Sequence, residues 1–286
     1  MNALATLCIL LALGTEIPRG SGQVTVDLGG TEIELFTYKP DSFRDGPLIM
    51  VFHGVLRNAD EYRDHARGMG DRFAALIVAP RFPEQRFPLE SYQLGGLLRD
   101  GKVQPRADWT WQLVPRIAAD VRRSEKRPDM PYYLIGHSGG GQFLIRLGAF
   151  VASGARRIVV SNPGTYIFPT READYPLGFG GLPDDLSSDA ALRNFLSQPI
   201  TLYLGTDDKE RDEHFNVTPA AERQGKTRWE RGQNAFHAAE QLAQRRGWTF
   251  NWRLVAVPGV GHDHQAMFNS RLCAEALFGP DGKHRD

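Results

Sequence analysis

The sequence predicts an α/β fold: a mostly parallel central sheet, helices on both of its faces, and an antiparallel hairpin at its N-terminal start. Three observations carry this prediction. Leu48–Phe52, residues 76–80 and residues 132–135 are continuous apolar runs, as expected of strands covered on both faces. Helical periodicity separates such runs, most clearly where Phe143, Leu144, Leu147, Phe150 and Val151 recur on one side of a helix. Residues 23–28 and Glu32–Lys39 instead alternate in polarity around Gly29-Gly30, the pattern of two antiparallel strands joined by a primed turn.

The elements then follow in order. After the strand at Leu48–Phe52, His53-Gly54 ends the run and a helix is expected over residues 59–75, before the strand at 76–80. Residues 81–105 are rich in Pro, Gly and aromatics and read as a long loop, a length that in a compact domain usually carries function. A helix over 108–126 follows, with Trp109, Leu113 and Ile117 on one face and Asp108 as its expected N-cap. Next come the 132–135 strand, a helix and a strand at Arg157–Ser161. Residues 162–199 hold five prolines, counting Pro199, and only 189–196 looks helical, so the segment reads as a cap over the site or a long crossover. Further strands are expected at Ile200–Gly205 and 252–257, and further helices near Arg231 and over 266–277. No linker separates two cores, so residues 23–286 are expected to form one domain.

Composition narrows the function classes. Lys+Arg and Asp+Glu both number 34, which leaves no electrostatic footprint for nucleic acid or an anionic membrane. The apolar stretch at residues 4–13 is too short to span a bilayer and suits the core of a signal peptide, with Ala12-Leu13-Gly14 as small residues for cleavage. Residues 1–22 are therefore expected to be a signal peptide and short leader, and the protein to be exported to the periplasm or beyond. Of the two cysteines Cys8 lies in that leader, so the mature chain would keep Cys273 alone and form no internal disulfide.

The chemistry centres on residues 132–141. A strand that stops at Gly136-His137-Ser138-Gly139-Gly140 and passes straight into a helix is the setting of a nucleophile elbow, with Ser138 at the tip of a strained turn. A serine nucleophile needs a base, an acid to orient the base, and amides to receive an oxyanion. His262 stands in a loop just after a strand, where parallel sheets place catalytic groups. Asp207 and Asp208 stand just past Gly205, between Ser138 and His262 in the chain; Asp208 is preferred for its offset, and Asp212 and Glu213 read as surface charge. Gly139 supplies one amide. Val55, after the turn at Gly54, supplies the other, with Leu56 second and His53 as a structural support of that loop. His262-Asp263-His264 fits no zinc spacing and offers no third ligand, so no metal is expected.

Taken together, His53-Gly54 after a buried strand, Gly136-His137-Ser138-Gly139-Gly140, Asp208 after Gly205 and Gly261-His262 resemble the α/β-hydrolase superfamily over nearly all of the mature chain. Phe52-His53-Gly54 and Val257-Pro258-Gly259-Val260-Gly261-His262 are similar to the polyhydroxyalkanoate-depolymerase-like esterases within it. The resemblance implies an α/β-hydrolase fold and a serine esterase that cleaves carboxylic esters, polymeric or small, through an acyl-enzyme without cofactor. Gly141 departs from the pattern as a third glycine after Ser138 and is expected to loosen the helix start. A peptidase or thioesterase could use the same residues, and a binding protein that has lost its chemistry could keep the fold. Tyr92, Trp109, Trp111, Tyr166 and Phe168 are candidate pocket aromatics or ordinary packing groups. Lys226, Arg228 and Arg231 belong to a solvated surface or an anion site.

Overall fold

The computed structural model describes residues 9–10 and 15–282. The chain runs through β1 (Ile9–Leu10), β2 (Gly20–Asp27), β3 (Glu32–Lys39), β4 (Leu48–Phe52), α1 (Ala59–His65), α2 (Arg67–Phe73), β5 (Leu76–Arg81) and the small hairpin β6 (Leu98–Arg99) and β7 (Lys102–Val103). It continues through α3 (Leu113–Ser124), β8 (Tyr132–His137), α4 (Gly139–Phe150), β9 (Arg157–Ser161), α5 (Asp184–Ser187), α6 (Asp189–Ser197) and β10 (Ile200–Gly205). Last come α7 (Pro219–Glu222), α8 (Arg228–Arg246), β11 (Arg253–Val257), α9 (His264–Asn269) and α10 (Cys273–Phe278).

One nine-stranded sheet has the order β1-β2-β3-β5-β4-β8-β9-β10-β11. The pairs β2–β3 and β3–β5 are antiparallel and the others parallel, as predicted for a mostly parallel sheet with an N-terminal hairpin, and the structure puts that hairpin to one side of the parallel core. The predicted turn holds too, since Gly29 and Gly30 both have positive φ. Every residue of β4, β8 and β10 is buried. Alternation divides each strand between two cores: Leu48, Met50 and Phe52 join one apolar cluster, while Ile49 and Val51 join the other across the sheet. Burying such a side chain stabilises the fold by about 1.5–3 kcal/mol, so two-sided coverage rewards the uninterrupted apolar runs. Because β4, β8, β10 and β11 run parallel, their carboxyl ends open on one edge, where residues 53–57, 138, 206–208 and 258–263 emerge.

Several predicted boundaries move. The helix over 59–75 is two helices that meet at Ala66, where Gly68 and Gly70 weaken helical continuity. Residues 106–112 form two short 3-10 turns, so α3 starts at Leu113 and Asp108 does not cap it. The last predicted helix breaks at Ser270 into α9 and α10, and α8 starts at Arg228, capped by Thr227.

The predicted signal segment lies largely outside the described residues. The leader residues nearest the fold, however, belong to it: Ile17 is buried and its N–H donates to Glu125, and β2 begins at Gly20. The same Glu125 carboxylate receives Lys39, so a buried ion pair ties the leader to the sheet. In the 162–199 segment Tyr166, Phe179 and Phe195 pack into the main core. Arg146, wholly buried on α4, holds the segment by donating to the Pro176 carbonyl and the Thr165 hydroxyl.

Candidate active site

Ser138 sits between β8 and α4 with φ 55° and ψ −117°, the strained backbone expected of an elbow. Its amide donates to Ser161 O at 2.9 Å. Close packing explains the flanking glycines. A Cβ on Gly136 would stand 2.5 Å from Gly140 O, and one on Gly140 would stand 2.2 Å from Phe52 O. Gly141 corrects the expectation of a loosened helix start, because a Cβ there would lie 2.8 Å from Ser161 O; the third glycine lets the helix lie against β9.

The loop after β4 closes over this corner. A Cβ on Gly139 would lie 3.3 Å from Val55 N, so the two residues expected to supply amides are neighbours. Gly139 also opens α4, where a backbone N–H has no intrahelical partner. Leu56 exposes its side chain at 71%, and of the two candidate residues Val55 is the one whose amide nitrogen lies beside Gly139. His53 is buried beneath the loop: its Nε2 accepts from Phe82 N–H at 3.1 Å, so Nδ1 carries the proton and donates to Gly54 O at 2.9 Å. Burial pushes the His53 imidazole down to about 3, and it is a neutral strut. Tyr92 donates to the His53 carbonyl from the other side. With Trp109, Trp111 and Tyr166 it is buried, so four of the five candidate pocket aromatics are packing groups and Phe168 is half-buried.

Asp208 and His262 meet at the opposite side of the elbow, with His262 Nδ1 2.8 Å from Asp208 Oδ2. Asp208 is 1% exposed, whereas the side chain of Asp207 is 58% exposed beside Lys209. The ring of His262 stands 4.5 Å from that of His137, which precedes Ser138 in the elbow. His137 is buried between Tyr62 and Asn162; burial first, then the electrostatic influence of the neighbouring His262, His264 and Arg228 side chains, keeps it far below the ordinary histidine range. His262, Asp263 and His264 do not act as a cluster. His262 turns to Asp208, Asp263 caps α9 through Ala266 N–H, and His264 meets His65.

Four residues at this site were given no role in it by the sequence. Arg228 is 1% exposed, with Nη1 3.7 Å from Asp208 Oδ1 and Nη2 2.9 Å from Asp212. Arg231 is fully buried over the Phe215 ring and donates to Gly164 O. The segment read as solvated surface or anion site is thus a buried cationic wall behind Asp208, and Asp212 is part of it, while Glu213 and Lys226 stay exposed. Asn162 accepts from Gly205 N–H at 2.9 Å and donates to Gly261 O at 3.3 Å, clamping the aspartate loop to the histidine loop. Gln93, 6% exposed, brings Nε2 to 3.3 Å from the Cβ position of Gly139, beside Val55 N. A general expectation of function for residues 81–105 was the nearest pointer to it.

Two concavities of about 590 and 420 Å³ lie along the 162–199 segment, against residues 220–224 and against α8 respectively; neither is lined by Ser138, Asp208 or His262. No helix among the described residues is long and apolar enough to cross a membrane.

No protein-family model matches the chain, and no curated protein matches it by sequence. Solved structures do. The LpqC poly(3-hydroxybutyrate) depolymerase from Bordetella parapertussis is 35% identical over 94% of this chain and 93% of its own, with a TM-score of 0.83. Poly(aspartic acid) hydrolase-1 from Sphingomonas sp. KT-1 is 27% identical over 88% and 96%, also with a TM-score of 0.83. The siderophore hydrolase EstB from Aspergillus nidulans shares the fold at 17% identity, over 95% and 99%, with a TM-score of 0.53.

Proposed function

Since the chain belongs to the α/β-hydrolase superfamily, we propose that it is a serine esterase that cleaves carboxylic esters through an acyl-enzyme on Ser138. The observation that carries this reading is the 2.8 Å contact of His262 with buried Asp208, at strand ends flanking the strained Ser138 turn. With its Nδ1 proton donated to Asp208, His262 leaves Nε2 free to take the Ser138 proton. The Ser138 oxygen then attacks the ester carbonyl, and the oxyanion that forms is received by the amides of Val55 and Gly139. Gln93 adds a side-chain N–H at the same corner. His262 returns its proton to the departing alcohol, then takes one from water, which releases the acid and frees Ser138.

The depolymerase relative, at 35% identity, supports polymeric or small carboxylic esters as the substrate class. The poly(aspartic acid) hydrolase supports a second reading, since amide bonds join that polymer. A panel of soluble esters, thioesters and peptides separates the two. A fluorophosphonate probe should label the protein at Ser138, and Ser138→Ala should lower turnover of a short-chain nitrophenyl ester about ten-thousand-fold or more. A folded Ser138→Ala protein with full activity would sink the proposal.

A further inference from the structure

A second cluster of ligand-bearing side chains stands beside the serine site and takes no part in it. Glu61 and His65 are four residues apart on α1 and so share one face, and His264 opens α9 opposite them. Nδ1 of His65 lies 2.8 Å from Nε2 of His264. One oxygen of Glu61, Oε1, lies 3.9 Å from the first nitrogen and 3.8 Å from the second. The circle through three atoms with separations of 2.8, 3.8 and 3.9 Å has a radius of about 2.1 Å. Histidine nitrogens and carboxylate oxygens bind zinc at about 2.0–2.2 Å. A single point therefore serves all three atoms as the centre of a coordination sphere.

We propose that Glu61, His65 and His264 bind a zinc-class divalent cation. Two imidazoles and one carboxylate suit such a borderline cation better than calcium or magnesium, which prefer oxygen ligands throughout. The site is held ready. The His264 ring lies flat on Tyr62, with centroids 4.0 Å apart and planes 4° from parallel, and Phe268 meets it edge-on. Asn269 of α9 donates to the His65 carbonyl and fixes the two helices against each other. The three side chains are 48%, 26% and 16% exposed, so solvent reaches the site and a water can fill a fourth position once the side chains adjust around the ion. The two rings hydrogen-bond to each other through these nitrogens, and a bound cation replaces that contact once both nitrogens present lone pairs. The bound ion ties α1, which follows the loop of Val55, to α9, which follows His262.

Zinc chloride titrated into the chelator-stripped full chain should bind saturably at one equivalent. At about a hundredfold excess over Kd it should raise the thermal midpoint by about 5 °C. Cobalt(II) in its place should give the visible spectrum of a four-coordinate ion. Glu61→Gln and His65→Ala, each checked for folding by circular dichroism without metal, should each weaken zinc binding about tenfold or more. His237→Ala, on the exposed face of α8, should leave binding unchanged. Absence of saturable binding, or wild-type affinity in both Glu61→Gln and His65→Ala, overturns the site. These readouts are independent of turnover, so they stand apart from the fate of the serine mechanism.

Discussion

The elbow at residues 136–141 and the segment at 206–231 flank the same site and are built from opposite materials. At the elbow, backbone lies directly on backbone: the approach of Gly140 to Phe52 O and of Gly136 to Gly140 O leaves no room for a methyl group. The 206–231 segment is held by charge, with Arg228 between Asp208 and Asp212 and Arg231 locked over Phe215. The difference follows from what each must hold. The proposed nucleophile sits in a strained turn, which close packing holds well. A buried carboxylate costs several kcal/mol unless a cation and hydrogen bonds accompany it. The elbow should therefore be sensitive to an added atom, and the segment to a lost charge.

The contrast breaks most sharply at the carboxylate itself. Asp208→Asn should cut turnover about ten-thousand-fold, because the histidine loses its orienting anion. Asp207→Asn, on the exposed side of the same loop, should change turnover by less than about twofold. Steady-state kinetics on one soluble ester decides, and equal losses would remove Asp208 from its proposed role. Arg228→Met should destabilise the fold by about 3–5 kcal/mol, since it strands Asp208 and Asp212 without their cation. Urea unfolding measures this, and a change below about 1 kcal/mol would show that the charges are not coupled. Gly140→Ala should cost about 1–3 kcal/mol in the same assay, as the new methyl pushes the elbow away from Phe52. It should also lower kcat, and wild-type stability would mean that the backbone yields there without strain.

The readability of the site divides along the same line. The elbow was legible because its requirements are local: an apolar run, glycines at fixed offsets and a helical stripe are all written within residues 132–151. The positions of His262, Asp208 and Val55 at one edge were legible because a parallel sheet delivers the loops after its strands there. Position alone left Asp207 and Asp208 competing, and burial separates them. Arg228, Arg231, Asn162 and Gln93 carried no mark of their surroundings. Each lies in polar or irregular sequence that reads as surface, and each is buried by elements far away in the chain.

Local sequence thus determined the strands, the elbow and the order in which serine, aspartate and histidine come, because strand runs, turns and helix stripes are decided by neighbours within a few residues. Tertiary structure alone decided which charges are dry, how Asn162 joins two loops, and that His264 parts from His262 to meet Glu61 and His65. Those outcomes depend on helices that pack across the sheet from distant parts of the chain. The desolvation and geometry that give such groups their chemistry exist only once that packing is complete.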